Sequence, residues 1–266
     1  MVSPALLSAS AATIGTPVGG ALALGLGTFF YGMFAPASRM FGPVIVRGAR
    51  DGRPVVALTF DDGPTPEGTG PILDALARHS APATFFFIGS NVQRHPDLVR
   101  RALAAGHQVE NHSFDHAWSG VMRRGWYWKD QWARTDAAIR ECGGRERCRY
   151  FRPPMGFKSW RMAVAARAAE YEMVAWSLRG LDGVSASSES ILKRVLPRAA
   201  PGDIIALHDG AEPGSKRDPR ATVEAMPRLV EGLRARGLTL VTLDELLKAT
   251  SGGAGERTTG AAGRSA

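Results

Sequence analysis

From Pro54 onward the chain alternates short apolar runs with stretches of helical character, and this alternation restricts the fold more than any other feature. Val55–Thr59, Ala83–Ile88, His107–Glu110, Met173–Trp176, Asp203–Leu207 and Thr239–Val241 read as strands. Gly70–His79, Pro96–Ala105, Trp126–Arg140, Ser159–Glu170, Glu189–Arg198 and Thr222–Arg236 read as helices. Pro96 sits in a first turn, with Gly106 just past that helix's end. Thr242 and Glu245 have capping-box spacing and open a last helix. No internal repeat is present. Strands alternating with helices imply a parallel sheet, open or closed into a barrel. Chemistry in such folds gathers at the C-terminal ends of the strands.

Five polar groups fall where those ends are expected. Thr59-Phe60-Asp61-Asp62-Gly63 closes the first strand. Adjacent carboxylates repel unless a positive charge is near; a metal ion would relieve one and leave the other as a base, whereas a polar turn would use both to cap backbone N–H groups. His112-Ser113-Phe114-Asp115-His116 places two imidazoles four residues apart, able to face one ion if the segment is a helical turn. With Asp62 they make an Asp-His-His set that leaves positions open for water, the mark of a catalytic rather than a structural site. Phe151-Arg152-Pro153-Pro154-Met155-Gly156 is stiffened by two prolines, which fix Arg152 and offer the Met155 N–H to an oxyanion. Asp182, after Trp176, could orient Arg152 or be a solvated loop acid. His208, at the end of the Asp203–Leu207 run, could donate a proton to a leaving amine near neutral pH.

The motifs, in this order, resemble the polysaccharide deacetylases with a NodB-homology domain, carbohydrate esterase family four. TFDDG and HSFDH match fully, RPPMG in outline and LHDG in its His, over about Pro54 to Leu247. The resemblance implies a distorted (β/α) barrel of about seven parallel strands. It implies one divalent metal ion, zinc foremost with cobalt, manganese or nickel also accommodated, on Asp62, His112 and His116. It further implies Asp61 as general base, His208 as acid, Arg152 steadied by Asp182 to position Asp61, and the Met155 N–H at the oxyanion. The substrate would be an acylated amino-sugar glycan or glycolipid. Three positions depart from the family: Met155 for an aromatic residue, Gly183 for a Trp, and Ala206 for a Leu. They bear on the acyl pocket and sugar platform, and so on the substrate more than on the chemistry. A deacylase or deformylase of a lipid-linked sugar, an esterase on acetylated xylan and a non-catalytic carbohydrate-binding protein are the competing readings.

Residues 1–38 are hydrophobic, with no charged side chain from 2 to 38. Val18–Ala35 has 18 residues, near the lower limit for a membrane span, so this segment is expected to anchor the chain; a secretory signal and a buried terminal segment are the rivals. A wall-directed enzyme would lie on the envelope side, while Arg39, Arg47 and Arg50 after the span favour a cytoplasmic domain. Residues 53–248 form the catalytic domain and 251–266 a disordered tail. The net charge of +8 favours anionic partners, yet no zinc-finger spacing, RNA-binding motif or basic heptad supports nucleic acid. Cys142 and Cys148 are compatible with one local disulfide or two free thiols.

Overall fold

The strands pair by burial rather than by length. A computed structural model describes residues 17–49, 52–183, 187–215 and 217–248, with the side chains of the first helix described from residue 23. After helix α1 (Pro17–Phe34) come β1 (Val55–Asp61), α2 (Thr69–Arg78), β2 (Thr84–Phe87), α3 (Gly89–Arg94), α4 (Pro96–Ala104), β3 (Gln108–Asn111), α5 (Gly125–Glu141) and β4 (Tyr150–Phe151). There follow α6 (Trp160–Ala168), β5 (Glu172–Met173), β6 (Leu178–Arg179), α7 (Ser188–Val195), β7 (Ile204–His208), α8 (Arg220–Ala235), β8 (Thr239–Leu240) and α9 (Leu243–Lys248). Seven strands run parallel in the order β5-β4-β3-β2-β1-β7-β6, and β8 pairs with the first two residues of β1. The sheet curls into the distorted barrel that the motifs imply.

Period-two alternation splits the strands between two cores. Val56, Leu58, Phe60, Phe85, Phe87, Ile205 and Leu207 face the surrounding helices. Ala57, Phe86 and Ile204, the intervening residues, face the inside of the curl with Tyr150 and Val174. Leu243 and Leu246 of α9 join this inner cluster. The Leu243 and Asp244 N–H groups donate to Thr84 Oγ1 and Gln108 Oε1, so α9 plugs the curl at the strands' N-terminal ends. The site is left to open at the other end.

The one extended run expected at Met173–Trp176 is two strands. β5 pairs with β4 and β6 pairs with β7, so the segment from Glu172 to Arg179 crosses from one edge of the sheet to the other. A strap of residues 33–48 lies along this closure. Ile45 bridges Val174, Arg47 bridges Asp203, and the Arg47 guanidinium reaches Asp203 Oδ1 at 2.6 Å. Among the described residues, no helix is long and apolar enough to cross a membrane. The expected anchor Val18–Ala35 lies partly outside the described side chains, and the expected tail 251–266 lies wholly outside the described residues. Cys142 and Cys148 are buried free thiols.

Candidate active site

β1, β3, β4, β6 and β7 end around one cleft of about 310 Å³, lined by Asp61, Asp62, His112, His116, Met155 and His208 among others. The loops that follow these strands are wound tightly. Asp62, Ser113, His116, Met155 and Leu181 all have positive φ, a conformation costly for residues other than glycine and one that concentrates at functional sites. Two motif glycines permit the close fit of the loops. A Cβ on Gly63 would lie 2.2 Å from Asp209 Oδ2, and one on Gly210 would lie 2.6 Å from the Asp62 carbonyl oxygen.

The metal candidates converge. Asp62, His112 and His116 are buried and present ligand atoms within 4.8 Å of one another. Asp62 Oδ1 stands 3.3 Å from His112 Nε2 and 3.2 Å from His116 Nε2. His112 Nδ1 lies 2.8 Å from the Arg152 carbonyl oxygen; a carbonyl only accepts, so Nδ1 carries a proton, and in the neutral ring Nε2 keeps its lone pair. Burial pushes His116 down to about 4, so its ring is neutral near pH 7. Burial alone would raise the Asp62 carboxyl, but the nearby His112, His116 and His208 rings hold it well below the usual carboxylate range. Asp62 Oδ1 has no hydrogen-bond partner. A buried carboxylate oxygen thus faces the Nε2 atoms of two imidazoles, a donor set that fits a divalent cation.

The two imidazoles do not meet on a helical turn, as their four-residue spacing suggests. They meet through a tight turn with left-handed Ser113 and His116. The His116 N–H donates to Ser113 Oγ, and Gln131 Oε1 accepts from the Phe114 and Asp115 N–H groups.

Arg152 is fully buried. It donates to Asp61 Oδ1 at 2.6 Å, to Thr59 Oγ1 and to the Ala175 carbonyl oxygen, with its guanidinium 4.1 Å from the Phe86 ring centre. The structure corrects the place of Asp182. It does not steady Arg152, because its oxygens are taken by His208 and Thr222. Asp182 Oδ1 lies 2.8 Å from His208 Nδ1, and Oδ2 accepts from the His208 N–H and the Thr222 hydroxyl. Burial works against a charged His208, yet this hydrogen bond and the Asp182 charge raise it to about 9. The imidazole is left 29% exposed.

Three further residues shape the site. Asn91 donates to the Asp62 carbonyl oxygen at 2.8 Å. Asp209, pushed up to about 8 by burial and by the nearby Asp62 and Asp61 charges, accepts from the Gly63 N–H and the Thr69 hydroxyl. Arg217 reaches from the loop after β7 to pair with Asp62 Oδ2 and lies against Gly183, where a Cβ would sit 3.5 Å from its guanidinium. Gly183 is one of the three departures from the resembled pattern. Of the other two, Ala206 lines the cleft and Met155 stands half-exposed at it.

Comparison with known proteins decides the family. A family model described as polysaccharide deacetylase matches residues 48–174. A peptidoglycan-N-acetylglucosamine deacetylase of Bacillus cereus is 33% identical over 73% of this chain and 88% of its own length. The chain belongs to the polysaccharide deacetylase family. It is thus a hydrolase of carbon–nitrogen bonds other than peptide bonds. A chitooligosaccharide deacetylase of Sinorhizobium fredii is 37% identical over 73% of this chain and 92% of its own length. The crystal structure of a peptidoglycan N-acetylglucosamine deacetylase in complex with 4-naphthalen-1-yl-N-oxidanyl-benzamide superposes with a TM-score of 0.71 at 27% identity, covering 77% of this chain and 92% of that one. Met155, Gly183 and Arg217 all line this member's cleft.

Proposed function

We propose that this deacetylase removes N-acetyl groups from amino sugars of a cell-envelope glycan, with one divalent ion, zinc by preference, held by Asp62, His112 and His116. The observation that carries the reading is the unpartnered Asp62 Oδ1 facing two imidazole Nε2 atoms, with a spare carboxylate, Asp61, beside it. Bound there, the cation supplies Lewis acidity toward the acyl oxygen and the attacking water. Asp61 takes the proton of that water. Arg152 occupies one of its oxygens and fixes the carboxylate while the other stays available. The strained Met155 loop offers its N–H to the developing oxyanion; the Gly156 and Phe157 N–H groups, tied to the Pro153 and Pro154 carbonyl oxygens, set its shape. His208, protonated through Asp182, gives its Nε2 proton to the departing nitrogen as the carbon–nitrogen bond breaks. Acetate and a free amino sugar result.

Relatives named for peptidoglycan N-acetylglucosamine and for chitooligosaccharide support this substrate class. The test is acetate release from chitooligosaccharides and peptidoglycan by the zinc-loaded protein, with Asp61→Asn and His112→Ala in parallel. Activity in the native chain and its loss in both variants is expected. Metal binding with no acetate from either substrate would point to a carbohydrate-binding relic instead.

A further inference from the structure

The mechanism above leaves α1 unused, and its described side chains are apolar and mostly uncovered. Every residue from Ala23 to Tyr31 is exposed, and none is charged; Leu24 is 73% and Tyr31 65% accessible. A helix docked on a protein partner presents one apolar stripe, whereas a helix apolar on every side belongs in a core or in lipid. Gly25 and Gly27 also make it a poor helix former in water.

The foot of this helix is fastened to the loop that carries Met155. Lys158 is buried and has no carboxylate partner among the described residues; its Nζ donates to the Ala35 and Pro36 carbonyl oxygens at 2.8 and 2.7 Å. The Lys158 N–H donates to the Met33 carbonyl oxygen, and Phe34 packs edge-on against Phe157 at 4.8 Å. A Cβ at Gly156 would lie 3.0 Å from Pro36. Where α1 goes, the active-site mouth follows.

The segments just past His116 and Met155, two residues of the mouth, have the composition of a lipid-facing rim. Trp118, two residues beyond His116, is 71% exposed, and Met122, Trp126 and Trp160 are exposed as well. Tryptophan at such a rim suits the headgroup level, where its ring is half in and half out of the apolar phase. A Cβ at Gly125 would lie 3.4 Å from Ala165, so the start of α5, which carries Trp126, lies against α6, which opens with Trp160. Arg123, Arg124 and Arg161 are exposed among these residues, and Arg39 is exposed beyond the foot of α1. The one acid in the adjoining loop, Asp115, is engaged by the Ala117 N–H, the Tyr127 hydroxyl and Gln131. The surplus is positive, which complements anionic headgroups.

We propose that α1 and this aromatic and basic rim form a lipid-docking surface that seats the active-site mouth on an anionic bilayer, so that the acylated amino sugar is taken from the membrane surface. The docking surface stands on these contacts; the substrate half rests on the deacetylase reading.

The test uses the full chain with phosphatidylcholine–phosphatidylglycerol vesicles, and a Leu26→Asp/Phe30→Asp variant whose two positions are exposed. The native chain should float with the vesicles, and the variant should stay in the soluble fraction while releasing acetate from soluble chitooligosaccharide at an unchanged rate. A dialkylglycerol-linked chitobiose in the vesicles should be deacetylated at least about tenfold faster by the native chain, because docking raises the local concentration of substrate. A native chain that does not float, a variant that floats equally, or equal rates on the glycolipid would overturn the proposal. Flotation without acetate from any substrate would remove the deacetylase reading and the substrate half, and leave the docking surface supported.

Discussion

The pair Asp182–His208 gives the site a proton donor that persists into alkaline pH. Burial alone would drive the imidazole to lose its proton early; the carboxylate 2.8 Å from Nδ1 reverses this and raises it to about 9. The basic limb of the kcat/KM profile is therefore expected near pH 9 in the native chain. Asp182→Asn should move it down by roughly two units, because burial is then opposed only by the Asp62 and Asp61 charges. The same linkage bears on stability. A folded value raised above the unfolded one, about 6.5, stabilises fully below that pH, and the contribution is lost as pH rises through about 9. Asp61→Asn should cost about 10²–10⁴-fold in kcat with metal stoichiometry unchanged, since Asp61 is outside the convergent Asp-His-His set. Arg217 acts on the same centre with the opposite sign. Its guanidinium pairs with Asp62 Oδ2 and adds a positive charge beside the place for a cation. Arg217→Ala should tighten zinc binding by about tenfold in a chelator competition; weaker binding would show that Arg217 chiefly orients Asp62.

At the scale of elements, what the sequence discloses depends on how an element is stabilised. β1, β2 and β7 are legible because consecutive buried side chains write themselves as apolar runs such as Phe85-Phe86-Phe87. β4 and β6 hold two residues each and exist only through their neighbours' register, which a local reading cannot supply. α3 is hidden for another reason. Gly89, Ser90 and Asn91 are poor helix formers, and the segment is held by tertiary bonds from the Gly89 and Ser90 N–H groups to the Ser113 and Phe114 carbonyl oxygens. The site residues are readable in kind and in place, since strand ends announce them. Their pairing is not: Asp182 and Arg152 both belong to the cleft, and only the fold gives Asp182 to His208. Arg217 lies on an irregular loop with no periodicity to mark it. In α5, Trp128 and Trp132 are buried and Trp126 is exposed. Trp132 packs on Phe151 and Tyr171 at 5.1 and 5.0 Å, so Trp132→Ala should lower unfolding free energy by about 3–5 kcal/mol in urea titrations.

Over the whole molecule, the curl is plugged at the N-terminal ends of its strands by α9 and closed along its side by the 172–179 crossing and the 33–48 strap. Only the C-terminal ends remain for chemistry, and five strands deliver charged or strained residues there. Because Asp62, His112 and His116 come from β1 and the loop after β3, an ion held by them ties parts of the fold that are distant in sequence. Zinc at a hundredfold excess over its Kd should add about 2.7 kcal/mol of stability, read as a raised Tm that EDTA reverses.

The most direct measurement is calorimetric titration of the chelator-treated protein with zinc, alongside Asp62→Ala and His116→Ala. The account predicts one ion per native chain, with affinity at least about a hundredfold weaker in each variant. A native chain that takes up no ion, or variants that bind it as tightly as the native protein, would contradict it.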